Sequence, residues 1–185
     1  MTDNFNLCHV ALIETKQGYN IFLNEIGNQL KLVSPIVKSP FGIETFGKDK
    51  HIINIELTGY KNSNSIYNFY VQLRNIDKFF KNIIKNDRII DYELPEDLAE
   101  RLEGKTYVPC LKCKSGFDPL LRVFMKKAKK NIITTIKSNK EDTTDKNLNS
   151  NLKGEYGVFS IRLNTFWITN DSYGLTWILD EVIIQ

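Results

Sequence analysis

Along this chain of 185 residues, apolar positions recur with two different periods, and the switches between them outline its elements. Residues 9–15 and 19–23 are apolar segments on either side of Lys16-Gln17-Gly18, a pattern that predicts two strands joined by a turn. Leu30 to Val37 reads as another strand, although it carries Pro35. From His51 to Thr58 the alternation is regular. Ile53, Ile55 and Leu57 share one face and Asn54, Glu56 and Thr58 the other, which predicts a half-buried strand.

After Tyr60 the period changes. Ile66, Phe69, Tyr70, Leu73, Ile76, Phe80, Ile83 and Ile84 recur every three or four residues, with Arg74, Lys78, Lys81 and Lys85 among them, and predict an amphipathic helix. A shorter helix is expected from Pro95, with Glu96 and Asp97 in its first turn, Arg101 in its last and Gly104 as its stop. Strands return at Lys105–Cys113, Leu120–Lys127, Ile132–Lys137, Tyr156–Leu163 and Leu175–Ile184. The polar stretch from Ser138 to Gly154 has only Leu148 and Leu152 as apolar residues and reads as a mobile loop within a single domain of residues 1–185. Strands, then helices, then strands predict a β-rich barrel or sandwich with helical insertions.

Composition narrows the class. A mass of 21.5 kDa, 42% hydrophobic and 25% charged residues, and 11 Phe, 8 Tyr and 2 Trp exclude wholesale disorder, collagen and coiled coil. No apolar run approaches the ~20 residues that span a bilayer, so no membrane partner is expected. The opening Met-Thr-Asp-Asn-Phe-Asn lacks the basic and apolar regions of a signal peptide, and three cysteines make no disulfide framework; both point to an intracellular protein. The chain has 22 Ile and 19 Asn against 3 Ala, and 20 Lys against 5 Arg. These choices follow A/T-rich codons and suggest the genome of a parasite or a large DNA virus.

Net charge is only +3, but its distribution is uneven. Residues 105–137 carry nine basic side chains against the single acid Asp118, a net +8, while the remainder is balanced or acidic. Such a concentration suits a polyanion.

Familiar catalytic patterns are weak. Gly42 to Asp49 nearly spells a phosphate-binding loop, but Asp49 replaces the hydroxyl that would hold magnesium, a strand rather than a helix follows, and Glu44 would repel phosphate. Cys110-Leu111-Lys112-Cys113 is a lone CxxC pair; adjacent Cys8 and His9 would point to opposite sides of a strand and bind one zinc ion poorly. His9 and His51 are the only histidines, and no cluster of acids suggests a two-metal centre. No metal and no cofactor is expected.

The basic stretch is more informative. In Leu120 to Lys126, alternation puts Leu121, Val123 and Met125 on an inner face and Arg122, Phe124 and Lys126 on the outer one, with Lys127, Lys129 and Lys130 just beyond. Lys112, Lys114 and Phe117 lie upstream. Between Tyr156 and Leu163, Phe159, Ile161 and Leu163 should face the core, leaving Tyr156 and Arg162 outward. Cations neutralise phosphates while rings stack on bases, and unpaired strands expose the bases that a duplex hides.

Several short segments, in order, carry a resemblance. They are Lys16-Gln17-Gly18, Leu30-Lys31-Leu32, Ser39-Pro40-Phe41-Gly42-Ile43, Asn75-Ile76-Asp77-Lys78, Phe117-Asp118-Pro119-Leu120-Leu121-Arg122-Val123, Phe166-Trp167-Ile168 and Tyr173-Gly174-Leu175-Thr176-Trp177. In these the chain resembles the single-stranded-DNA-binding proteins of nucleocytoplasmic large DNA viruses, whose OB-fold is related to that of the phage T7-type protein. The resemblance implies an OB-fold-like barrel, mainly β, with one long and one short helix inserted. It places Arg122 and its strand on the binding face and Trp167, Gly174 and Trp177 in closing strands, with Trp177 in the core and Trp167 in core or binding surface. It also implies a role without chemistry: coating single strands during viral replication, recombination or repair. The CxxC pair is outside the pattern, and the chain ends on Asp180 to Gln185 without the acidic tail of phage relatives.

The leading expectation is a non-enzymatic protein whose partner is single-stranded DNA, with RNA as second candidate. Lys112, Lys114, Arg122, Lys126, Lys127, Lys129 and Lys130 would contact phosphates, Phe117, Phe124 and Tyr156 would stack on bases, and Arg162 would lie on the same outward side. Replication or recombination proteins and further copies of the chain are candidate partners, in a host nucleus or a cytoplasmic viral factory. The rivals are an OB-fold interaction or virion module without nucleic acid and, behind it, a metal-dependent nuclease.

Overall fold

The computed structural model describes residues 10–16, 18–23, 29–46, 50–83, 94–128, 131–132, 134–138 and 152–185. Its strands are β1 (Val10–Thr15), β2 (Gly18–Leu23), β3 (Lys31–Val33), β4 (Val37–Lys38), β5 (Ile43–Phe46), β6 (Lys50–Glu56), β7 (Thr106–Val108), β8 (Leu111–Lys112), β9 (Leu120–Met125), β10 (Lys127–Ala128), β11 (Asn131–Ile132), β12 (Thr135–Ser138), β13 (Tyr156–Ile168) and β14 (Ser172–Ile184). The helices are α1 (Asn64–Lys81) and α2 (Leu98–Leu102). None of the described helices is long and apolar enough to cross a membrane.

The chain divides into two compact units. One comprises residues 1–30, 71–110 and 163–176. Here the β1–β2 hairpin pairs through Tyr19 with Phe166 of β13, and β7 runs parallel to β14, with Tyr107 opposite Tyr173. The core is a chain of rings: Phe166 has Tyr19 at 6.4 Å, Phe80 at 5.8 Å and Tyr173 at 5.7 Å, and Tyr107 lies 5.3 Å from Tyr173. Two glycines allow the close approach. At Gly18 (φ +139°) a Cβ would sit 2.4 Å from the Phe166 carbonyl, and at Gly174 one would meet the Trp167 ring at 2.7 Å.

The other unit comprises residues 31–70, 111–162 and 177–185. Its pairings form a closed ring of five strands: β4 to β6, β6 to β9, β9 to β14, β14 to β13, and β13 back to β4. In chain order that is first–second–third–fifth–fourth–first, and only the third–fifth pair, β9 with β14, is parallel. This is the OB-fold-like barrel expected, a Greek-key closure that leaves its five members without a free edge. β3, β5, β8 and β12 extend the ring strands at their flanks. Inside lie Ile53, Ile55, Leu121, Val123, Phe159, Ile161, Trp177 and Leu179, each 1% exposed or less. Trp177 is core, as the resemblance implies.

Several expectations shift in detail. Leu30–Val37 is not one strand, because Pro35 lacks a ladder donor and Ser34 substitutes side chain for backbone: its hydroxyl accepts from the Phe159 N–H at 2.9 Å. Lys105–Cys113 breaks at Pro109 for the same reason. The strand from His51 is not half-buried: Ile52, Ile53, Asn54 and Ile55 are all buried, so side chains on both of its faces are covered. The second helix begins at Leu98, three residues late, because the Leu98 N–H bonds the Pro95 carbonyl in a tight turn. β13 and β14 run past their expected ends to 13 residues each. Their alternation slips by one at Asn164-Thr165 and at Asp180-Glu181, as at a β-bulge, which hides a long strand from a period-two reading. The Ser138–Gly154 stretch lies largely outside the described residues.

Candidate nucleic-acid interface

β9 is a strand because its apolar residues alternate, and the alternation holds in three dimensions. Leu121, Val123 and Met125 are buried while Arg122, Phe124 and Lys126 are half-exposed on the barrel's outer side. Strand pairing then decides what stands beside them. Tyr156 on β13, Lys38 on β4, Glu56 on β6, Leu120 on β9 and Lys112 on β8 are opposite one another in register. This outward row crosses five strands, about 19 Å at ~4.8 Å per strand. One row further along β9, Arg122 is opposite Asn54. In the next row Phe124 is flanked by Ile52 of β6 and Ile178 of β14.

Each of the three expected stacking rings has a lysine ammonium near its face. Lys114 Nζ lies 5.2 Å from the Phe117 ring, Lys50 Nζ 5.8 Å from Phe124 and Lys38 Nζ 6.0 Å from Tyr156. Phe117 is 68% exposed and Tyr156 46%, so solvent reaches both rings. A cation held over a ring gains about 0.5–1 kcal/mol at an exposed site. That is weak enough for the lysine to swing to a phosphate while the ring accepts a base.

This fold is similar to that of a solved phage single-stranded DNA-binding protein. The C-terminal truncation of the single-stranded DNA-binding protein from bacteriophage Enc34 matches with a TM-score of 0.51 and 9% identity, over 95% of this chain and 94% of that one. The same phage protein in complex with single-stranded DNA matches at 0.47 and 10% identity, over 95% and 94%. Gp2.5, the single-stranded DNA-binding protein encoded by bacteriophage T7, matches at 0.44 and 9%, over 83% and 90%. No protein-family model and no curated protein matches the sequence. The likeness is one of fold.

Of the other expected site residues, Lys112 and Lys114 are exposed, and the Lys126 N–H donates to the Thr134 hydroxyl at 2.9 Å. Arg162 is half-buried, and its Nε donates to the Asp180 carboxylate at 2.8 Å, so a carboxylate already sits on its charge. Lys127 belongs to β10, and Lys129 and Lys130 lie outside the described residues. Pairing adds residues that the sequence reading missed. Lys38 and Lys50 join the rings, and the carboxylates of Glu44 and Glu56 share the face. Each acid is engaged locally: Glu44 accepts from the Asn54 amide and Glu56 from the Thr58 hydroxyl. Nothing within one segment signals these neighbours; Lys38 and Tyr156 belong to strands separated by more than a hundred residues.

The Cys110 thiol donates to the buried Asp77 carboxylate at 3.3 Å, and that carboxylate also accepts from the Cys110 N–H and, at 2.6 Å, from the Tyr107 hydroxyl. Burial, followed by the adjacent Asp77 charge, pushes the Tyr107 phenol far above its ordinary value. Cys8 and His9 fall outside the described residues. Trp167 is half-buried with its ring against Gly174, a packing role.

Proposed function

We propose that the protein binds single-stranded DNA without enzymatic activity, along the outer face of β9 and the rings and cations that flank it. The observation that carries this reading is the pairing of rings with lysines: Phe117, Phe124 and Tyr156 each stand beside an ammonium on the outside of one barrel. β6 and β9 are the second and third strands of that barrel, the face on which OB-folds bind oligonucleotides. Lys112, Lys114, Arg122 and Lys38 supply cations for a backbone track, and the rings supply sequence-tolerant stacking. The fold's likeness to the truncated phage protein supports the same reading. The role we propose is to coat single strands inside the infected cell during viral DNA replication, recombination or repair.

The test is fluorescence anisotropy on matched single- and double-stranded oligonucleotides at two salt concentrations. Single strands should bind more tightly than duplex, with a log–log salt slope of about −0.7 for each phosphate neutralised. Equal affinity for duplex of the same length refutes the reading.

A further inference from the structure

Three tyrosines that the sheet face does not use gather on the turn after β6 and the first turns of α1. The Tyr60 and Tyr70 rings are 4.8 Å apart, Tyr67 and Tyr70 6.3 Å, and the Lys61 ammonium lies 5.8 Å from the Tyr60 ring. Tyr67 is 49% exposed and the other two are half-buried. Helix packing does not require Tyr67: the buried stripe of α1 runs through Phe69, Leu73, Ile76 and Phe80. The cluster adjoins the interface already described. The Gly59 N–H donates to the Asp118 carboxylate at 3.0 Å and the Leu57 N–H to the Pro119 carbonyl at 2.9 Å. These bonds fasten the turn bearing Tyr60 and Lys61 to the turn bearing Lys114 and Phe117. Asp118, the one acid of the basic stretch, is the fastener.

We propose that Tyr60, Tyr67 and Tyr70, with Lys61, form a second base-stacking station that carries the single strand off the sheet past Phe117. The inference rests on the single-strand reading above and adds a second, adjoining contact to it. Accessible π-faces beside an ammonium suit an unpaired base and its phosphate. The station lengthens the site, so its contribution appears only with oligonucleotides long enough to reach it.

The experiment compares oligo-dT of about 4 and about 16 nucleotides, the span of site sizes for an OB-fold. Tyr67→Ala should leave the short ligand's affinity unchanged and weaken the long one about 5- to 10-fold, while Tyr67→Phe keeps both. Lys61→Ala should lower the magnitude of the salt slope for the long ligand by about 0.7. A long oligonucleotide with a terminal 5-iododeoxyuridine should crosslink to Tyr60 or Tyr67. Tyr67→Leu, which keeps apolar bulk but no π-face, should reproduce the Tyr67→Ala loss if the alanine variant melts early. Wild-type affinity of Tyr67→Ala for the long ligand, with Phe124→Ala weakened at both lengths, overturns the station and leaves the sheet reading standing. An equal loss at both lengths also overturns it, as does displacement of the long ligand by polyglutamate as readily as by poly-dT. Wild-type protein that does not distinguish single strands from duplex removes the reading beneath it.

Discussion

The two units set the same pair of groups, a cation and an aromatic ring, in opposite surroundings. In the unit of residues 1–30, 71–110 and 163–176, the Arg101 guanidinium lies 5.0 Å from the ring of Tyr19, which is fully buried, and its charge is met by Glu14 at 2.7 Å. In the barrel unit the rings of Phe117 and Tyr156 are exposed, and among the described residues Lys114 and Lys38 make no ion pair. A neutralised cation over a buried ring has nothing left to offer a ligand. An open ring beside an ammonium not held by a carboxylate offers both a stacking face and a charge. Residue type does not separate the two settings; burial and the neighbouring acid do.

Substitutions can break this contrast. The largest effect is expected from Phe166→Ala, which empties the centre of the ring chain and should cost about 3–5 kcal/mol of stability in denaturant unfolding. Tyr107→Phe follows. It removes a buried hydrogen bond to a carboxylate and should cost about 1.5–3 kcal/mol. Because the phenol is raised in the folded state, its contribution is present below its ordinary value of 10.0 and is lost as pH rises from there toward the folded value. Unfolding curves between neutral pH and pH ~11 should therefore converge for wild type and Tyr107→Phe.

On the barrel the pattern should invert. Phe117→Ala should change stability by no more than about 0.5 kcal/mol and weaken oligo-dT binding by about 1–3 kcal/mol. A Phe117→Ala variant that melts early yet binds normally would make the exposed ring structural and erase the contrast. The smallest effect is reserved for Glu14→Ala, whose exposed pair with Arg101 should be worth about 0.2–1 kcal/mol in a melt and nothing in DNA affinity.

How much of this was legible beforehand differs by scale. Periodicity located α1, α2 and the alternation of β9, because each depends on residues within a few positions of one another. It failed where a local substitution interrupts the ladder, as Ser34 and Pro35 do, and where a bulge changes the phase, as at Asn164-Thr165. It read Tyr70 as part of the buried helix face, whereas the ring shares its cluster with Tyr60 and Tyr67. Arg162 was legible as outward-facing, but its pairing with Asp180 was not, since that depends on how β13 and β14 meet.

By itself the sequence determined which side chains leave the sheet on β9 and that its charge gathers between residues 105 and 137, because alternation and composition are local properties. Only the tertiary structure decided that Lys38 and Lys50 join those rings, that Glu44 and Glu56 share their face, and that Asp118 ties Phe117 to the tyrosine turn. The reason is that lateral neighbours in a sheet are chosen by strand order and register, which closing the barrel selects and no single segment encodes.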